Sequence, residues 1–239
     1  MTRLRTLTGM ALHEMWISFQ LIAVVGLPLL GGLLAIAVPP DIAGVTAVGG
    51  AGFWYAVGAG VAIVAAAGLA AGAMAHERRR GTVAWMAVRA VPRPAILLSW
   101  FIAFATLLAA GIALGSIGAW LAALARAEAA PDVVPFAWAV AATLAEGLVC
   151  VAAGLLIGIL LPIRPAIGVA VALAAALVAV SIAMAPGGFP SPTGGIGLLA
   201  HLDGASHPVG DALRSAGAAL AATAILLALA IFGLERSDL

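Results

Sequence analysis

The sequence predicts an all-α integral membrane protein with six transmembrane helices, preceded by an N-terminal amphipathic interfacial helix and with both termini cytoplasmic. Composition is the first reason. The 239 residues are 64% hydrophobic and only 9% charged, whereas soluble domains carry about 25% charged residues. The second reason is that long apolar runs alternate with short charged or Pro- and Gly-rich stretches. A helix needs about 20 apolar residues to cross the hydrocarbon core, so these runs predict one transmembrane domain over residues 1–239.

The first element, residues 3–20, is predicted to be the interfacial helix. On a helical wheel, apolar residues such as Leu4 and Leu12 share one side, while polar residues such as Arg5 and His13 lie mostly opposite. This pattern is typical of a helix that lies along the membrane surface. The alternative is the positively charged n-region of a signal peptide.

The six predicted spans follow in chain order, bounded by charged, Pro-rich or Gly-rich stretches. They cover residues 21–38, 51–75, 95–125, 134–161, 166–185 and 212–234. Pro28 should kink the first span, because proline removes a backbone hydrogen bond inside a helix. An external segment, residues 186–211, separates the last two spans. Its weakly apolar patch from Ile196 to Leu202 predicts a short interfacial or re-entrant piece.

Small residues are frequent within these spans. Gly111 and Gly115 are four residues apart, and Gly58 and Gly60 flank an alanine. Small side chains at such spacings let helix backbones approach closely. The alternative is a compositional bias toward Ala and Gly, so the pattern predicts close packing but assigns no dimer interface.

The distribution of arginine predicts the orientation. All eleven basic residues are arginine, and with the N-terminus inside nine of them fall in cytoplasmic segments, against Arg126 and Arg214 outside. The positive-inside rule therefore places both termini and the stretch from His76 to Pro94 in the cytoplasm. Each of its three adjacent arginines would cost roughly 2.5–3.5 kcal/mol at the centre of a spanning helix. This stretch is accordingly predicted to be a loop in water.

The sequence offers no catalytic site. A P-loop needs a lysine that reaches the terminal phosphates, and the chain contains none. Ser116 would need a base within hydrogen-bond reach to act as a nucleophile, yet no histidine falls inside a predicted span. His201, Asp203 and His207 match no strong metal-binding pattern, so no bound metal is expected.

Glu146 lies near the middle of the fourth predicted span. An ionisable residue at membrane depth is a functional-site hypothesis, here a residue on the substrate path. The structural alternative is a protonated or partnered glutamate that ties two helices together, through Thr143 or through a neighbouring span. A lone intramembrane acid makes a poor proton relay, which favours the structural alternative.

The charged loop is predicted to contain a short cytoplasmic helix. Thr82 is suited to the N-cap, Val83 and Met86 belong to an apolar stripe, and Pro92 stops the helix. The arginines that precede it either anchor the loop at the anionic inner leaflet, or they accompany a helix that docks into a cytoplasmic partner.

Residues 77–98 resemble the permeases of type-2 (type V) ABC transporters. In that family an E-[RK]-x-x-G-T stretch follows the second span and precedes a coupling helix, after which a proline-containing segment re-enters the membrane. The counterparts here are Glu77 to Thr82 and Pro92 to Leu98. The interfacial helix, the six spans and the longer external segment agree with the family in outline.

The resemblance implies that the chain is half of a transmembrane dimer, with a second permease copy or a paralogue, and that it binds two copies of a separate ABC ATPase. It implies that this chain is not an enzyme and binds no cofactor, since ATP and Mg²⁺ belong to the partner ATPase. Carried over by position, the ATPase-contacting element comprises Glu77, Arg78, Arg79, Arg80, Gly81, Thr82, Val83, Trp85, Met86 and Arg89.

The expected function is therefore that of the permease of an ATP-driven exporter in the bacterial cytoplasmic membrane, coupled to its ATPase through the loop 76–94. Spans without a charged cavity favour lipid-like or amphipathic cargo. Membrane lipid is an expected contact, and nucleic acid is not. The alternatives are a secondary carrier and a membrane scaffold or assembly protein, both without an ATPase. A carrier should show several intramembrane charges or an internal repeat.

Overall fold

The computed structural model describes residues 2–18, 20–31, 50–80, 92–125, 132–183, 192–202 and 207–236, and these ranges form an all-helical fold. The helices are α1 (Thr2–Ile17), α2 (20–31), α3 (Gly50–Arg79), α4 (Arg93–Ala125), α5 (Val133–Leu160), α6 (Ile163–Ala183), α7 (Gly195–Ala200) and α8 (Pro208–Arg236). Five of them, α3, α4, α5, α6 and α8, are long and apolar enough to cross a membrane, and the number is six if α1 and α2 form one bent span. The predicted all-α, multi-pass membrane class is thereby confirmed.

The helices α1 and α2 meet at an angle of 79°. α1 packs against α4 and buries Ala11 and Met15, whereas Trp16 and Ile17 are exposed. So sharp a bend suits a helix that lies along the membrane surface before the next one enters the bilayer. The interfacial role of α1 itself stays a prediction.

α2 contains a π-helical turn, Ile22–Gly26, directly before Pro28. Pro28 has no N–H to offer to the carbonyl of Val24, and its ring crowds that carbonyl. A wider turn at this point relieves the crowding. The irregularity predicted at Pro28 therefore takes the form of a π-helical turn. The rest of the predicted first span, residues 32–38, lies outside the described residues.

Glycines bring α2 into backbone contact with α3 and α4. A Cβ added at Gly58 would lie 2.5 Å from the Cα of Gly31, and one added at Gly115 would lie 2.6 Å from the carbonyl oxygen of Pro28. A Cβ at Gly111 would likewise come within 2.8 Å of the α2 backbone. No side chain fits at these points, so the close packing predicted from the small residues is confirmed here.

α5 is the central helix of the described bundle. It packs against α3, α4, α6, α7 and α8, and most of its apolar surface is buried, whereas α6 and α8 leave most of theirs open. Open apolar faces are what a helix next to lipid requires. The closest approach to α5 is made by α3: Gly154 abuts the carbonyl oxygen of Ala67, and Gly158 abuts that of Ala71.

α3 extends one turn beyond its predicted end at residue 75. The structure continues the helix through Arg79, so the predicted loop is wrong for residues 76–79. The physical reason is that this turn packs on the bundle: Glu77 is only 6% exposed, and Arg78 donates hydrogen bonds to the end of α5. Contacts within the protein therefore take the place of the hydration that was expected to stabilise these charged residues.

Three other helices begin at least two residues earlier than predicted. α4 starts at Arg93, so the predicted loop is also wrong for residues 93–94. α6 starts at Ile163 and includes Pro165, and α8 starts at Pro208. Proline is tolerated in the first helical turn, because the backbone N–H that it lacks would have no partner there. The sequence-based boundaries treated these prolines as breakers, although both stand where a helix can accommodate them.

Candidate functional site

Arg78 joins the end of α3 to the end of α5. Its half-buried side chain donates hydrogen bonds from Nη1 to the carbonyl oxygen of Ile159 and, over 3.4 Å, to that of Gly158. Carbonyls in the last helical turn have no intrahelical donor, and they carry the negative end of the helix dipole. A guanidinium satisfies both needs, so Arg78 caps the C-terminus of α5.

Arg93 makes an equivalent contact on the other side of residues 81–91. It stands at the first residue of α4, and its Nη1 lies 3.3 Å from the carbonyl oxygen of Leu234 and 3.4 Å from that of Glu235. Both acceptors belong to the last turn of α8. The two flanks of residues 81–91 are thus each attached to the C-terminal end of a different helix.

Arg79 and Arg80 are exposed. The Nη1 of Arg80 lies 3.7 Å from the Oε1 of Glu14 in α1, and both side chains are about half exposed. Such exposed pairs contribute about 0–1 kcal/mol. Arg79 is exposed and makes no ion pair within the part of the chain that the structure describes. Of the three adjacent arginines, Arg79 is therefore the most available to an external ligand.

The predicted ATPase-contacting residues divide into three groups. Arg79 and Arg80 lie on the surface, while Glu77 and Arg78 face the protein. A buried carboxylate and a capping guanidinium are poorly placed to form the outer surface for another protein. The remaining six lie outside the described residues, namely Gly81, Thr82, Val83, Trp85, Met86 and Arg89.

Substitution of Arg78 by leucine is expected to destabilise the protein, because the terminal carbonyls of α5 lose their donor. Loss of a helix-end charge and its hydrogen bonds costs about 1–2 kcal/mol. The matched control is Arg79→Leu, which changes the neighbouring exposed arginine. Thermal unfolding of the purified proteins in detergent should give a lower midpoint for R78L than for R79L. Equal midpoints would show that the cap contributes nothing.

Glu146 is completely buried and joins three helices. Its Oε2 accepts a hydrogen bond from the backbone N–H of Ile196 at 3.0 Å and one from the Oγ of Ser181 at 3.3 Å. The backbone N–H of Gly197 donates in turn to that Oγ at 3.0 Å. α5, which carries Glu146, is thus connected to α6 through Ser181 and to the first turn of α7 through its amides.

α7 lies directly on α5 because its first residue is glycine. A Cβ added at Gly195 would lie 2.5 Å from the carbonyl oxygen of Ala142, and every residue of α7 is buried. The short piece predicted from Ile196 to Leu202 therefore contains a buried helix. Residues 186–191 and 203–206 of the predicted external segment lie outside the described residues.

The described contacts agree with a structural tie at Glu146. The link through Thr143 is wrong, since that hydroxyl donates to the carbonyl oxygen of Ala139 in its own helix at 2.9 Å. The link through a neighbouring span is present, and Ser181 provides it. A role of Glu146 on the substrate path stays a prediction.

Two residues at these sites were not identified from the sequence. Ser181 is a small hydroxyl residue in an apolar run, and the acid that it contacts lies 35 residues away. Arg93 contacts carbonyls 141 and 142 residues away. The available signals were a hydroxyl residue within an apolar run and an arginine at the start of one; a buried polar group indicates an internal partner without saying which.

Comparison of the chain with protein-family models, with curated protein sequences and with solved structures finds no match. The inference of function therefore rests on the residues of the sequence and on the geometry described above. That geometry includes the pair of arginine contacts beside residues 81–91 and the buried cluster at Glu146.

Proposed function

We propose that this chain is the transmembrane permease subunit of an ATP-driven type-2 (type V) ABC transporter that exports lipid-like or amphipathic cargo. The resemblance of residues 77–98 to the family's coupling region carries the proposal. The contacts of Arg78 and Arg93 support it, because they attach both flanks of the loop to other helices. A loop attached in this way is suited to pass movement from a cytoplasmic partner to the spans.

The proposed topology has six spans with both termini cytoplasmic, the first span being residues 21–38. The contacts between helix ends support spans that run alternately in opposite directions. Arg78 joins the C-terminal ends of α3 and α5. Arg93 joins the N-terminal end of α4 to the C-terminal end of α8. These four ends share one side of the bundle, as a chain that crosses the bilayer with each long helix requires. By the positive-inside rule, this arginine-rich side is the cytoplasmic one.

The energy source is assigned to two copies of a separate ABC ATPase, which hold the ATP and Mg²⁺. The chain contains no lysine and so cannot form the P-loop that cradles nucleotide phosphates. A second permease, either another copy or a paralogue, completes the transmembrane dimer. The membrane is the bacterial cytoplasmic membrane.

A cavity of about 590 Å³ between α1, α2, α3 and α6 supports the choice of cargo. Glu14, His76 and Arg80 line one end of it, near the end of α3. Apolar residues of α3, among them Ala65 and Leu69, line the part that is farther from the end of that helix. Pockets of this size bind drug-sized ligands, and this distribution of polarity suits a molecule with a polar head and an apolar body.

Charge reversal at Arg79 and Arg80 is expected to weaken association with the ATPase. The double variant R79E/R80E should retain about tenfold less of an ATPase encoded beside this chain, since reversing charges at an interface readily changes binding by about 1.4 kcal/mol. The measurement is co-purification in detergent. Arg78 is left unchanged because it caps α5.

The matched control for this experiment is Arg236→Glu. Arg236 is exposed at the end of α8, where its guanidinium lies 4.0 Å from the ring centre of Phe232. Full retention of the ATPase by R79E/R80E would count against the coupling role of this surface. If the unmodified chain binds no ATPase and still transports, it is a secondary carrier. If it neither binds an ATPase nor transports, it is a scaffold or assembly protein.

A further inference from the structure

An open cavity of about 800 Å³ lies where the end of α3 meets the start of α6. Three of its lining residues are arginines, Arg78 and Arg79 from α3 and Arg164 from α6. Apolar residues, among them Leu160 and Ile163, form the remaining wall, and none of the residues that line the cavity is acidic. The cavity therefore gathers positive charge from two helices that are far apart in the sequence.

This charge is not neutralised by the described part of the protein. Arg79 and Arg164 are exposed, and neither belongs to an ion pair there. Arg78 uses Nη1 to cap α5, but its Nε is buried and has no hydrogen-bond partner among the described residues. Three cations around one cavity repel one another, and they create a local positive potential that attracts anions.

The helix ends at the cavity reinforce the preference for an anion. α6 begins at Ile163, so its first amides and the positive end of its dipole lie at the cavity wall. The carbonyls that end α5 would oppose an anion, but Arg78 occupies two of them. The potential left at the opening is thus set by the exposed arginines and the start of α6.

We propose that this cavity binds a phosphate group, supplied by the headgroup of an anionic phospholipid. Guanidinium groups bind phosphate oxygens in a bidentate manner, and basic pockets between transmembrane helices bind phospholipid headgroups. Leu160 lines this cavity and is 63% exposed, so acyl chains of the same lipid can lie against it. The proposal requires only the cavity and a bilayer, so it stands whether or not an ATPase binds.

The test compares Arg164→Gln with Arg236→Gln in the full-length, detergent-solubilised protein without an ATPase. Arg164 is exposed and lies outside the predicted ATPase-contacting element, so its change leaves both the fold and that element intact. Native mass spectrometry then measures how much phosphatidylglycerol and phosphatidylcholine each protein retains. We expect R164Q to retain about fivefold less phosphatidylglycerol, in line with the contribution of one arginine near an anionic surface, and R236Q to match the wild type.

A second arm identifies the source of the phosphate. Thermal unfolding of lipid-depleted protein is measured with phosphatidylglycerol in mixed detergent micelles and, separately, with inorganic phosphate in the same detergent. A rise in the midpoint with the lipid, reduced in R164Q, assigns the site to a headgroup. An equal rise with inorganic phosphate, also reduced in R164Q, assigns it to the free anion. Equal lipid retention by wild type and R164Q, or an equal loss in R236Q, would overturn the proposal.

Discussion

Substitution of Glu146 by leucine is expected to detach α7 from the bundle and to lower the free energy of unfolding by several kcal/mol. Two buried donors, the N–H of Ile196 and the hydroxyl of Ser181, would lose their acceptor. An average hydrogen bond between membrane helices contributes only about 0.6 kcal/mol, but a buried donor left unsatisfied costs about 1–3 kcal/mol. The cost of an unsatisfied donor applies at this site, because leucine fills the space and excludes the water that could replace the lost acceptor.

The matched variant is Glu146→Gln, whose amide oxygen in the place of Oε2 can still accept from both the N–H of Ile196 and the hydroxyl of Ser181. Thermal unfolding in detergent should give a midpoint for E146Q near that of the wild type and well above that of E146L. Limited proteolysis should cut E146L faster within residues 186–211. A midpoint for E146L equal to that of E146Q would mean that the hydrogen bonds at Oε2 do not hold α7.

E146Q also separates the two roles considered for Glu146. If the carboxylate takes part in transport through its charge, E146Q should transport poorly while it keeps the stability of the wild type. If the residue serves only as an acceptor for α6 and α7, transport per molecule should be unchanged. The ratio of transport to protein level therefore distinguishes a residue on the substrate path from a structural tie.

Substitution of Gly154 by leucine is expected to force α3 and α5 apart. Even a Cβ at this position would overlap the carbonyl oxygen of Ala67, and that oxygen belongs to a helix backbone that cannot rotate away. Overpacking a well-packed interior typically costs 1–3 kcal/mol, and a backbone obstacle places this case at about 3 kcal/mol or above. The expected result is a large fall in the unfolding midpoint and in the yield of folded protein.

Gly168→Leu is the control, because it adds the same side-chain volume at another glycine of a long apolar helix. A Cβ at Gly168 meets no heavy atom within 4 Å among the described residues, and the position is on an exposed face of α6. This variant should fold as well as the wild type, because the leucine enters lipid. If G154L and G168L are equally stable, α3 and α5 do not pack as closely as the structure shows.

Composition and hydropathy were sufficient to predict the all-helical membrane class, because apolar length alone determines which segments can cross a bilayer. The glycines of α3 and α4 were also recognised as points of close approach. What they approach was not predictable, since the partner of Gly58 is the backbone of Gly31. Gly154 and Gly158, which set the contact between α3 and α5, have the same four-residue spacing as Gly111 and Gly115, but they were not singled out.

The charged residues show why their contacts could not be predicted from the sequence. A cost of roughly 2.5–3.5 kcal/mol per arginine in lipid predicts that arginines avoid the bilayer, but it does not distinguish water from a helix terminus. Arg78 found carbonyls 80 and 81 residues away, so its helix could continue to Arg79. The acid at Glu146 was recognised from its depth alone, whereas its partners in α6 and α7 depend on how the helices are arranged.

The attachments of Arg78 and Arg93 have a mechanical consequence. A load applied to residues 81–91 reaches α3 and α4 through the covalent chain, and it reaches α5 and α8 through the two guanidinium contacts. α5 and α8 also pack against each other, so the helices reached by the two guanidinium contacts are in contact themselves. Displacement of either flank of residues 81–91 is therefore expected to act on four helix ends together instead of on one.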